Sequence, residues 1–143
     1  MYSRPVLDLP DAFRAVDAML AAAPAITIRP LAIAVVDDQG DGVAFVRMDG
    51  APIFNRRYAQ AKAYTAARLR MDLSAFAASR ERTGRTLIDL ADPGLVGSAH
   101  GGLTITDPHT GLVVGAIGVS GASPEEDEQV AQVGRAALAG EVG

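Results

Sequence analysis

Apolar residues recur at helical spacing near the start of the chain. Leu9, Ala12, Phe13, Val16, Met19, Leu20 and Ala23 fall on one face of a helix over Asp8–Ala23. Asp8 or Asp11 suits its positive end, and Pro24 is expected to stop it. The period then changes. Leu31–Asp37 is an apolar strand, Asp38–Gly42 is turn chemistry, and Val43–Met48 is the returning strand of a hairpin. From Asn55 to about Met71 the alanine density and the lack of breakers predict a helix. A second short helix starts at Asp72 or Ser74 and closes at Gly84. Thr86–His100 is irregular, with a short strand or turn around Leu87 and a loop at Ala91–Gly94. Leu103–Thr106 is a strand, Asp107–Gly111 a hairpin turn, and Leu112–Val119 a nearly unbroken apolar strand.

That last strand runs into the sharpest local signal in the chain. Ser123-Pro124-Glu125-Glu126 supplies a cap, a proline at the first helical position and a glutamate at the third. A helix to about Leu138 follows, with Val130, Ala131, Gly134, Ala137 and Leu138 as its apolar stripe. The amides of Gly121, Ala122 and Ser123 at this helix start suit an anion, although the same pattern fits a plain strand-to-helix corner. Hairpin links force antiparallel pairing, and strands grouped in hairpins between helices indicate α+β. The expectation is one domain over residues 1–143, with helices packed on an antiparallel sheet of about five strands.

Composition narrows the function. The chain has 143 residues, 49% hydrophobic and 21% charged, which is ordinary for a soluble globular domain. A net charge of -4 argues against a general nucleic-acid surface. There is no cysteine, so disulfides, thiolate metal sites and a cysteine nucleophile are excluded. No apolar run approaches the roughly 20 residues of a membrane span. The N-terminus lacks an apolar signal core, and the chain reads as cytoplasmic. No nucleotide fingerprint or metal-spaced histidine pair occurs.

Four stretches carry a resemblance. RMDGAP (Arg47–Pro52), AQAKAYTA (Ala59–Ala66), the Gly101-Gly102 pair and GAIGVSGASPEEDE (Gly115–Glu128) resemble the GlcG/HbpS haem-binding family. They are also similar to the C-terminal domain of PduO-type proteins. The resemblance runs from the first helix to the last. It implies a profilin-like or longin-like α/β/α fold and a homo-oligomer, from dimer to octamer. It also implies haem binding in some members, with redox or iron sensing, and a place in carboxylate or diol catabolism for others.

Several residues are candidates for a site. Lys62 lies among small residues, with Thr65 on the same helical face. The pair could hold a carboxylate or a haem propionate, or Lys62 could be a solvated lysine. Arg47 and Asp49 leave their strand by one face, so Asp49 is either an ion-pair partner of Arg47 or a pocket acid beside Lys62. Asp127 and Glu128 have a sufficient reason in the helix dipole. His100 precedes Gly101-Gly102, where backbone can approach a ligand. It is the better placed of the two histidines, His109 lying in a turn. The expected pocket lies between the Lys62 helix, Gly101-Gly102 and the Gly118–Ala122 turn. Lys62, Thr65, His100, Gly101, Gly102, Gly118, Ser120 and Gly121 would hold haem or another planar anionic ligand. The rival expectation is a metal-independent enzyme acting on a small carboxylate or carbonyl metabolite. Lys62 or His100 would polarise the substrate and Asp49 would move a proton.

Overall fold

The computed structural model describes residues 1–139. Helix α1 (Leu9–Ile26) precedes the β1 (Ala32–Asp37) and β2 (Gly42–Arg47) hairpin. Helices α2 (Ile53–Leu69) and α3 (Leu73–Thr83) follow, then a 3₁₀ turn at Ile88–Leu90. A second hairpin, β3 (Gly102–Thr106) and β4 (Val113–Ser120), leads into α4 (Pro124–Ala139). Among the described residues the sheet has four strands in the order β2-β1-β4-β3, all neighbours antiparallel. The expected class is correct; the expected fifth strand is not there. The residues around Leu87 form the 3₁₀ turn because Asp89 Oδ2 accepts from both Thr86 N and Thr86 Oγ1, a local bond that favours a turn. No helix of the described residues is long and apolar enough to cross a membrane.

Two different packing chemistries cover the sheet. One face carries Ile33, Val35, Leu103, Ile105, Ile117 and Val119 and is filled by α1 and α4. The other presents Ala32, Ala34 and Ala116 to Ala59, Ala63, Ala66 and Ala67 of α2. On this second face small residue meets small residue, so helix and sheet backbones come close.

Helix α1 differs from its expected limits in two ways. It runs through Pro24 to Ile26, because a proline in the last turn removes one bond and Thr27 N still closes on Ala23 O at 2.9 Å. Its buried line is Ala12, Ala15, Val16, Met19 and Ala23, while Leu9 and Phe13 remain 47% and 52% exposed. The helix rests on α4 along this buried line, with Met19 packed over Gly134, which turns the Leu9–Phe13 edge outward. Asp8 caps it by accepting from Asp11 N at 2.9 Å. Ahead of α1, Arg4 donates to the carboxylate of the buried Asp38, and Arg70 donates to Asp38 O.

Candidate functional site

Strand β4 ends where α2, α4 and the loop before β3 meet. The capping box forms as the sequence requires: Glu126 N donates to Ser123 Oγ at 3.2 Å and Ser123 N to Glu126 Oε1 at 3.1 Å. The next two acids of α4 turn inward. Asp127 Oδ1 accepts from Ala122 N at 3.0 Å, and Glu128 Oε1 accepts from Gly101 N at 3.0 Å. The amides of Ala122 and Ser123 that suited an outside anion are thus taken by carboxylates of the same chain.

Lys62 is neither solvated nor paired with Asp49. It is 3% exposed and Asp127 4% exposed. Its ammonium donates to Val119 O at 2.8 Å and Asp127 Oδ2 at 3.2 Å, and lies 5.4 Å from the centre of the Tyr58 ring. Asp49 is exposed and lines a separate cleft with Thr27, Ile28, Arg29 and Met48. Burial drives the Asp127 carboxyl up from 3.8, with the Lys62 charge and the Ala122 amide opposing it. Burial likewise drives Lys62 down from 10.5, against the nearby Asp127 and Glu128.

The sign of the resulting pH dependence follows from proton counting. The folded chain holds the Asp127 proton more tightly than the unfolded chain. This pair therefore costs stability as pH rises from 3.8 through the raised Asp127 value. Between the lowered Lys62 value and 10.5 the unfolded chain binds the extra proton, so stability rises with pH there. Urea unfolding should show this alkaline rise in the wild type and a flatter profile in the Lys62→Met/Asp127→Leu double variant.

The remaining candidates fall into two groups. Gly101 is part of the cluster: its φ of +81° is in the left-handed region, and a Cβ there would lie 2.8 Å from Lys62 Nζ and 2.6 Å from Val119 O. Ser120 lies beside it at the end of β4, its hydroxyl 3.0 Å from Asn55 Oδ1. Gly121 follows with φ +135°, and a Cβ would meet Pro30 O at 2.6 Å. Gly118 and Gly102 are packed from above. A Cβ on Gly118 would lie 2.0 Å from Ala59 O, and one on Gly102 would lie 2.6 Å from Leu73. The Thr65 hydroxyl is spent on the protein, donating to Ala61 O at 2.8 Å and accepting from Val96 N at 3.0 Å.

His100 is the uncommitted group. Its backbone is held by Ser98, whose hydroxyl donates to His100 O at 3.0 Å and accepts from His100 N at 3.3 Å. The imidazole has no such tie: Nδ1 is buried without a partner. Buried polar atoms normally find partners, so this one stands out among the candidates. Asp127 and Glu128 belong to this cluster, whereas sequence reasoning assigned them to the helix dipole alone. The available signal was surplus: one glutamate completes the capping box, yet Glu125–Glu128 is an unbroken acidic run.

Comparisons with known proteins agree with this architecture. A solved double mutant of Streptomyces reticuli HbpS is 34% identical, covers 96% of this chain and 90% of its own, and superposes with a TM-score of 0.84. The PduOC:haem complex is 25% identical over 93% of this chain and 95% of its own, with a TM-score of 0.79. Klebsiella pneumoniae ORFY is 25% identical over 98% and 97%, with a TM-score of 0.80. No curated protein matches the chain. The model of the HbpS-like haem degrading proteins matches residues 7–136, and the chain belongs to that family.

Proposed function

We propose that the protein binds haem, with His100 as the iron ligand. The observation that carries the reading is the likeness, over nearly the whole chain, to HbpS and to the solved PduOC:haem complex. What supports His100 as the ligand is its imidazole, whose buried Nδ1 has no partner in the protein and which stands next to a glycine without a side chain. Bound haem would supply iron-centred redox chemistry. The chain's own part is to hold the imidazole and wall off the space behind it. Of the other residues expected to hold the ligand, Lys62, Thr65, Gly102, Gly118, Ser120 and Gly121 are engaged by protein contacts, so the proposal rests on His100 and Gly101. Assembly as a homo-oligomer, a cytoplasmic location and a redox-sensing or catabolic accessory role complete the proposal.

The test is a haemin titration followed in the Soret band. Wild type should show a saturable, shifted band at about one haem per chain or per subunit pair. His100→Ala should lose the shift. Weak, unsaturable association in the wild type would overturn the reading.

A further inference from the structure

We propose that Glu128 is a positioning residue for His100, acting through the backbone of Gly101. The inference rests on the haem reading for what His100 binds, and on the structure alone for how His100 is held. Gly101 is fixed on three sides. Its N–H donates to Glu128 Oε1 at 3.0 Å, its carbonyl accepts from Val119 N at 2.7 Å, and its Cα is backed by the Lys62 ammonium. The Lys62–Asp127 pair therefore limits where Gly101 can sit, and the Glu128 carboxylate, together with the Ser98 hydroxyl on His100 O, sets how its peptide plane is turned. That plane is the peptide joining His100 to Gly101, so its rotation directs the Cα–Cβ bond of His100.

The approach to His100 is anchored as well. Thr65 Oγ1 accepts from Val96 N at 3.0 Å, and Arg80 Nη2 donates to Gly97 O at 3.2 Å. The loop is thus tied on both sides of His100, while the imidazole stays uncommitted. Groups behind a metal-binding histidine commonly govern its aim, and their removal typically lowers metal affinity about 10–100-fold. Here the aiming group works on the main chain. A glutamine in place of Glu128 offers the same acceptor without the charge.

The experiment compares Glu128→Ala and Glu128→Gln with wild type in two assays. In the ligand-free protein, NMR reads the exchange rate of the Gly101 amide and the imidazole resonances of His100. In the haemin titration, the Soret band reads affinity and iron coordination. Glu128→Ala should exchange the Gly101 amide at least about tenfold faster, since the bond that protects it is gone. It should also shift the His100 resonances and bind haemin about tenfold more weakly. Its Soret band should move toward that of His100→Ala. Glu128→Gln should restore all four, with far-UV circular dichroism the same in every variant. Faster Gly101 exchange with unchanged His100 resonances and an unchanged Soret band would overturn the positioning role. Unchanged exchange would overturn the clamp itself. If wild type fails to bind haemin, the haem reading falls. The clamp then stands or falls on whether the His100 resonances move in Glu128→Ala and return in Glu128→Gln.

Discussion

Replacing Asp127 with alanine is expected to destabilise the protein by about 3–5 kcal/mol, because it leaves the buried Lys62 ammonium without its carboxylate. The two side chains come from α2 and α4, and the ammonium also donates to Val119 O of β4, so the loss falls on the junction of three elements. Domains of this size are typically stable by about 5–15 kcal/mol, so one substitution would remove a large share. Removing both charges is a different matter. Attraction inside the protein only partly offsets the cost of taking two ions out of water, so Lys62→Met with Asp127→Leu should be neutral or stabilising by about 1–4 kcal/mol. Urea unfolding of the three proteins decides it. A single Asp127→Ala variant with near wild-type stability would mean that Lys62 finds water or another partner, and that the pair does not organise the junction.

The second large effect is expected at Gly118. An added methyl would sit 2.0 Å from Ala59 O and 2.6 Å from Ala63 N. Both are main-chain atoms inside a helix, so neither can rotate away. Helix α2 would have to lift off the sheet, and the contact of Ala63 with the sheet would open with it. Overpacking of this kind costs about 1–3 kcal/mol and occasionally more, and Gly118→Ala should lie at or above the upper end. Gly42→Ala is the control, because a Cβ there meets nothing within 4 Å. Its thermal midpoint should match wild type, whereas that of Gly118→Ala should fall by at least about 4 °C. Equal midpoints would show that α2 is not seated on bare backbone.

What could be read in the sequence was what is local. The capping box at Ser123–Glu126, the Gly84 helix stop and both hairpins depend on residues within a few positions of each other, and all formed as their spacing required. The misreadings came from contacts that spacing does not encode. Leu9 and Phe13 lie on the apolar arc of α1, but which edge of that arc meets α4 is decided by the partner helix. Leu87 sits in a β-prone context, and Asp89 draws Thr86 into a turn instead. Lys62 was recognisable as either solvated or enclosed. Its actual partner is 65 residues away, in a first helical turn where any acid already has a reason to be. Asp49, the nearer acid in the chain, proved to be on another part of the surface.

The alanine-lined face of the sheet also has a mechanical meaning. On the α1 and α4 side, a disturbance can be absorbed by Met19 or Ile117 changing rotamer. On the α2 side there is almost nothing to rotate, because Ala59, Ala63, Ala66 and Ala67 have no χ angles to change. Helix α2 is therefore seated on the sheet with no side-chain slack along this line. A change at the Gly101 loop that reaches Lys62 could not be taken up there by rotamer changes, only by the backbones themselves.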